Sequence, residues 1–263
     1  MFKKNPFGHF LFLKKWLIRI MGCMTHRRYR GFNQLQLEGS QVIRKLPENN
    51  VLIVSNHQTY FADVVAMFHV FNASLSGRID SIKNIGYLWN PKLNIYFVAA
   101  KETMKAGFLP RILAYAGSVS IERTWREKGV DINRKVKMSD ISNIGMALDD
   151  GWVITFPQGT TTPFKPLRKG TAHIIKRYKP VVVPIVIDGF RRSFDKRGIR
   201  IKKRGILQSM EIKPPLKIDY ENESVESIIQ KIEYAIEQHP SFLKVIPKDE
   251  LENEEQLNKK REW

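Results

Sequence analysis

The stretch Val51-Leu52-Ile53-Val54-Ser55-Asn56-His57-Gln58-Thr59-Tyr60-Phe61-Ala62-Asp63 decides the fold. Its first half is an unbroken apolar run, too short for a helix and too uniformly apolar for a one-sided strand. Such a run reads as a strand buried on both faces, the signature of a parallel sheet covered by helices. A histidine leaves the strand. A carboxylate, Asp63, stands just before the apolar stretch Val64–Phe68 and is expected to cap a helix running to about Phe71. An imidazole oriented by a carboxylate is the equipment of general-base catalysis. The same residues also fit a buried histidine bonded to backbone beside an aspartate that merely caps a helix. The pair alone does not separate the two.

Outward from this point the pattern repeats. Tyr96–Ala99, Ser118–Ile121, Trp152–Phe156 and Val181–Ile187 read as further strands, and 77–91 as a loop. Residues 110–116, 131–149 and 224–238 read as helices. The expected fold class is α/β: a single domain with a largely parallel central sheet flanked by helices. That domain is placed at 35–246, after a basic segment at 1–34 and before a polar, disordered tail at 247–263.

The segment 1–34 carries Lys3, Lys4, Lys14, Lys15, Arg19, Arg27, Arg28 and Arg30 and no acidic residue before Glu38. On a helical wheel Phe10, Leu13, Trp16, Leu17, Ile20, Met21 and Met24 share one broad face, with Lys15 and Arg19 opposite. Lys14 falls inside the apolar face but could snorkel. A basic amphipathic helix with a tryptophan suits a membrane interface. A terminal helix packed on the domain is the alternative.

The whole chain is strongly basic, with 44 Lys+Arg against 26 Asp+Glu and a net charge of +18. Such a field attracts polyanions: nucleic acid, an anionic membrane or an acidic protein. The single cysteine, Cys23, excludes an internal disulfide and a cysteine metal cluster. No uncharged run reaches the ~18 residues of a membrane span. The N-terminus lacks a small-residue cleavage site, so a cytoplasmic location is expected.

Three loops that follow strands carry chemistry, and in a parallel sheet they share one edge. The first holds His57 and Asp63. The second follows Gly117-Ser118-Val119-Ser120-Ile121-Glu122 and presents Arg123, placed to grip an anion or to pair with a carboxylate. The third is Phe156-Pro157-Gln158-Gly159-Thr160-Thr161-Thr162, followed by Lys165, Arg168 and Lys169. Its Pro and Gly shape a tight loop whose hydroxyls and cations suit an oxyanion. No Ser or Cys sits at a strand-to-helix elbow, so the nucleophile is expected to be a substrate hydroxyl.

In order and separation these segments resemble the glycerolipid acyltransferase family, typified by the 1-acylglycerol-3-phosphate acyltransferases. Asn56 to Asp63 is similar to the family's Asn-His-x-x-x-x-Asp block, and Ile121-Glu122-Arg123 to its second block. Phe156 to Thr162 is similar to Phe-Pro-Glu-Gly-Thr-Arg-Ser. The strand 181–186, with Pro184 at its centre, is similar to the fourth block. Phe97-Val98-Ala99-Ala100-Lys101 resembles a Phe-Val-Ala-Lys stretch between the first two blocks. Three departures stand out. One extra residue separates His57 from Asp63, Gln158 replaces an acidic residue, and Thr161 replaces an arginine. Lys165, Arg168 or Lys169 could supply the missing charge.

The resemblance implies an O-acyltransferase of phospholipid biosynthesis at the cytoplasmic membrane face. It would move a fatty acyl group from acyl carrier protein or CoA to a lysophospholipid such as 1-acylglycerol-3-phosphate, with no cofactor and no metal. His57 and Asp63 would be catalytic. Arg123 would hold the acceptor phosphate, and Gln158, Gly159, Thr160, Thr161, Lys165 and Arg168 would line its site. The basic run at 191–204 would attract acyl carrier protein or CoA phosphates, or form a solvated hairpin face. The rivals are an acyltransferase for another lysolipid, such as an acylated amino acid, and a nucleic-acid-binding protein. No nucleic-acid motif supports the second.

Overall fold

The computed structural model describes residues 3–105, 112, 114–122, 126–127, 130–131 and 137–243. The strands are β1 (Gln34–Glu38), β2 (Val51–Ser55), β3 (Ile95–Ala100), β4 (Ser118–Ile121), β5 (Arg126–Glu127), β6 (Val130–Asp131), β7 (Trp152–Thr155), β8 (Val181–Asp188) and β9 (Leu207–Ile212). The helices are α1 (Leu11–Tyr29), α2 (Ala62–Leu75), α3 (Lys101–Lys105), α4 (Met138–Asp150), α5 (Lys169–Tyr178), α6 (Phe190–Ser193) and α7 (Val225–Ala235).

β2 is the middle strand of a seven-stranded sheet, order β1-β9-β8-β2-β7-β3-β4. All five of its residues are buried, and its alternate side chains enter two separate cores. Val51 and Ile53 join the layer with Phe71, Met67 and Ile18. Leu52 and Val54 join the layer with Leu148, Ile175 and Ile232. Thus α1 and α2 cover one face, and α4, α5 and α7 the other. The β8–β9 pair is antiparallel and every other pairing in this sheet is parallel. The largely parallel α/β reading of the sequence therefore holds.

α1 packs through Ile18, Gly22, Thr25 and Tyr29. Thr25 Oγ1 lies 3.0 Å from Nε2 of buried His69, whose Nδ1 lies 2.8 Å from the Tyr87 hydroxyl. Tyr29 donates from its hydroxyl to the Ala62 carbonyl at 2.8 Å, fastening α1 to the start of α2. The opposite side of α1 leaves Phe12, Leu13, Trp16, Ile20 and Met24 exposed. Lys14 does not snorkel. It is fully buried, its Nζ donating to the Ile95 carbonyl at 3.3 Å and lying 4.5 Å from the Tyr96 ring centre. Burial lowers its pKa to about 7, with Asp150 opposing.

Other expectations need correction. The helix expected over 131–149 begins at Met138. Asp131 instead pairs with Arg126 in the two-stranded β5–β6 hairpin, and Lys137 is extended. Asp63 lies within the first turn of α2, not at its cap, which is Phe61. The 77–91 loop contains a 3-10 turn at Ile85–Leu88. Strands β1 and β9 escaped the reading of apolar runs. Arg123, the tail at 247–263 and residues 110, 111 and 113 lie outside the described residues.

Candidate active site

The register brings two loops together at the ends of parallel strands. Val54 pairs with Thr155 and Ser55 with Ile185, so chain leaving β2 and β7 emerges beside the last residues of β8 on one edge. β4, which leads to Arg123, opens on this edge too but lies at the sheet margin beyond β3.

Asn56 fixes where the first loop starts. Its side-chain amide donates to the Ile187 carbonyl and accepts from the Ile187 amide, both at 2.8 Å. His57 follows, its ring stacked on Phe156 at 3.9 Å between centres. The chain then curls so that Asp63 returns beneath it. His57 Nδ1 lies 2.9 Å from Asp63 Oδ2, with the imidazole 12% exposed and the carboxylate fully buried. The one-residue-longer spacing therefore preserves the contact.

The extra length is held by the loop's own donors. Asp63 accepts from the Gln58 amide at 2.7 Å and from the Thr59 hydroxyl at 2.6 Å. It also accepts from the Thr59 amide, at 3.0 Å to Oδ2. The start of α2 adds the positive end of a helix dipole. With the carboxylate accepting at both oxygens, the shared proton belongs on Nδ1. Nε2 is left bare, and no described residue bonds to it. From outside, the Tyr60 and Phe61 amides donate to the Lys196 and Arg197 carbonyls at 3.1 and 3.0 Å. Gly198 permits this approach: its φ is +75°, and a Cβ there would stand 2.5 Å from the Ala62 nitrogen.

The third loop turns at Gly159, whose φ is +65° and whose amide donates to the Phe156 carbonyl at 2.9 Å. Gln158 faces inward. It is buried, and its Nε2 donates to the Lys165 carbonyl at 3.0 Å and to Gln238 Oε1 at 3.1 Å. Gln238 Oε1 also accepts from the Phe164 amide at 3.0 Å. Both partners of Gln158 are acceptors, so the position needs a donor, which an amide has and a carboxylate lacks. Thr161 is buried. Thr160 and Thr162 share a hydroxyl contact at 3.3 Å. Lys165 and Arg168 are exposed, and Lys169 pairs with Glu226 at 2.7 Å.

Several residues here carried no individual role in the sequence reading: Thr59, Gln58, Phe156 and Arg191. Thr59 could have been found from its place between the histidine and the aspartate, where a hydroxyl and an amide can reach one carboxylate. Arg191 joins the site through β8 and gave no local signal. Glu122, beside Arg123, bonds Lys137 at 2.7 Å and Lys101 at 3.4 Å. Among the described residues no group of three or more His, Cys, Asp and Glu could hold a metal.

An apolar groove runs between α1 and α2, lined by Leu17, Met21, Phe61, Val64, Phe68 and Leu88 among others. Phe61 and Val64 flank Asp63 in sequence, so the groove and the imidazole share one stretch of chain.

The sequence model of the acyltransferase family matches residues 34–188. The fold is similar to the crystal structure of the 1-acyl-sn-glycerophosphate (LPA) acyltransferase PlsC from Thermotoga maritima. The TM-score is 0.52 at 18% identity, over 85% of this chain and 78% of that one. No curated protein matches the chain.

Proposed function

The chain belongs to the acyltransferase family, and on that premise we propose that it transfers a fatty acyl group to the hydroxyl of a lysophospholipid of the 1-acylglycerol-3-phosphate kind. The observation that carries the proposal is the 2.9 Å contact between His57 Nδ1 and a fully buried Asp63, which leaves Nε2 bare at the sheet edge.

His57 Nε2 takes the proton of the acceptor hydroxyl as its oxygen attacks the thioester carbonyl. Asp63 holds the ring and balances the imidazolium. The tetrahedral adduct collapses by breaking the C–S bond, and His57 returns the proton to the departing thiolate. No acyl-enzyme forms, and the steps call for no metal or redox cofactor. A base positioned in this way is typically worth ~10²–10⁴ in rate. The apolar groove beside α2 is a seat for an acyl chain. Phe156, stacked on the imidazole, limits its rotation.

The donor is an acyl thioester of CoA or of acyl carrier protein, and the basic residues from Lys196 to Arg204, beyond α6, suit the anionic carrier of either. The protein works as a peripheral enzyme on the cytoplasmic face of the membrane. No described helix is long and apolar enough to cross a membrane. The exposed Phe12, Leu13, Trp16, Ile20 and Met24, together with the basic residues of the same segment, suit the interface with anionic lipid.

The test is an acyl-transfer assay with the purified full chain, acyl-CoA or acyl carrier protein as donor, and a panel of lysolipids. Formation of a diacyl phospholipid from 1-acylglycerol-3-phosphate is expected. If no lysolipid accepts an acyl group, the proposal fails.

A further inference from the structure

Arg191 is the second residue of α6, the short helix that follows β8. Its backbone amide donates to Gln58 Oε1 at 3.1 Å, so it touches the residue directly after His57. Its side chain reaches the third loop, where Nη2 donates to the Thr161 carbonyl. One residue thus ties the histidine loop to the Gly159 loop across the ends of β2, β7 and β8.

A guanidinium carries five N–H donors. The tie to Thr161 uses one nitrogen, and no other described group accepts from the side chain. The adjacent carboxylate, Asp188, is engaged by Arg192 at 3.3 Å and by Gln58 Nε2 at 3.0 Å. No described carboxylate pairs with Arg191. Its carbonyl is approached by Lys202 Nζ at 3.4 Å, which adds a second positive charge nearby. The side chain is exposed to solvent. A cation with no carboxylate partner among the described residues, tied to the histidine loop and to the Gly159 loop, is prepared to receive an anion. Its planar fork suits two phosphate oxygens, and its restraint means little mobility remains to be lost on binding.

We propose that Arg191 binds the phosphate of the acyl acceptor, and so selects phosphate-bearing lysolipids over neutral ones. This rests on the acyl-transfer reading above. It assigns part of the headgroup grip to a residue beyond β8, outside both the third loop and the stretch around Arg123.

The variant Arg191→Gln removes the charge and keeps the backbone tie to Gln58, while Arg191→Lys keeps a charge without the planar fork. KM for 1-acylglycerol-3-phosphate should rise at least about tenfold, the equivalent of losing one charge-assisted contact. KM for the thioester should hold. The preference for that acceptor over phosphate-free monoacylglycerol should fall by a similar factor, and Arg191→Lys should recover part of it. Equal losses with both acceptors, or no loss, would overturn the assignment.

A second arm needs no turnover. Inorganic phosphate should raise the melting temperature of the wild-type chain, and Arg191→Gln should abolish most of that rise. An equal rise in both proteins, or none in the wild type, counts against the site. If the wild type acylates neither acceptor, acyl transfer is the part that fails, and the phosphate titration still decides the role of Arg191.

Discussion

Asn56 and Ile187 exchange two hydrogen bonds, each of 2.8 Å, in which a side-chain amide stands in for a neighbouring strand. The pairing continues the β2–β8 ladder one residue past its backbone end and sets the point at which His57 leaves the sheet. Asn56→Ala strands the buried amide of Ile187, at about 1–3 kcal/mol, while the Ile187 carbonyl keeps the Gln58 Nε2 donor at 3.1 Å. Urea denaturation should show that loss. The rate of acyl transfer should fall further than thermal stability alone explains, because the imidazole is no longer aimed.

Gln158 donates to the Lys165 carbonyl and to Gln238 Oε1. Gln158→Glu places a buried carboxylate opposite two acceptors and should lower the melting temperature at pH 7. It should regain stability as the pH is lowered and the new carboxyl becomes protonated and can donate. A melting temperature equal to wild type at every pH would mean that the amide is not the strut that ties the third loop to Gln238.

Lys14 gives the stability a pH dependence of defined sign. Burial holds its pKa at about 7, against 10.5 for the ordinary side chain. Between these values the unfolded chain binds more protons than the folded one, so this residue makes stability rise with pH from about 7 to 10.5, and below 7 its penalty is complete. Its surroundings are the Tyr96 ring and the Ile95 carbonyl, with Asp150 and His9 as the nearby titratable groups. Lys14→Met should flatten this slope and raise the melting temperature at pH 7. Thermal melts across the window measure both.

The Arg19 guanidinium lies 5.1 Å from the Trp16 ring centre and 4.7 Å from that of Trp89, and its Nε donates to the Trp89 carbonyl at 3.1 Å. Trp89, 77% exposed, therefore extends the apolar face of α1 onto a second element. Replacing Trp16 and Trp89 with Ala should weaken binding to anionic vesicles by about tenfold or more, since interfacial tryptophans supply much of the contact area. Co-sedimentation reads this directly. Unchanged binding would move the membrane contact elsewhere.

The central strands were legible because burial on both faces demands apolar runs such as 51–55 and 181–187, which few other structures need. β1 and β9 were not, because Gln34–Glu38 and Leu207–Ile212 present only alternate side chains to the core and read as polar. Helix α4 was legible in its second half. Its start was misplaced because the apolar spacing of Ile132 and Val136 continues the helical period into chain where Val130 and Asp131 form a strand. At the site, the His57–Asp63 contact could be anticipated from type and proximity. The roles of Gln158 and Arg191 could not, since Gln238 and Thr161 meet them only through the fold. Lys14 misled for a related reason: a wheel shows which face a residue occupies but not what lies against it.

The most direct test of the central claim is kcat for His57→Ala beside wild type, with 1-acylglycerol-3-phosphate as acceptor and melting curves confirming that both are folded. Removing the base should lower kcat by about 10²–10⁴, with little change in the KM for either substrate. Transfer by the variant at the wild-type rate would contradict a catalytic role for His57 and, with it, the direct-attack mechanism.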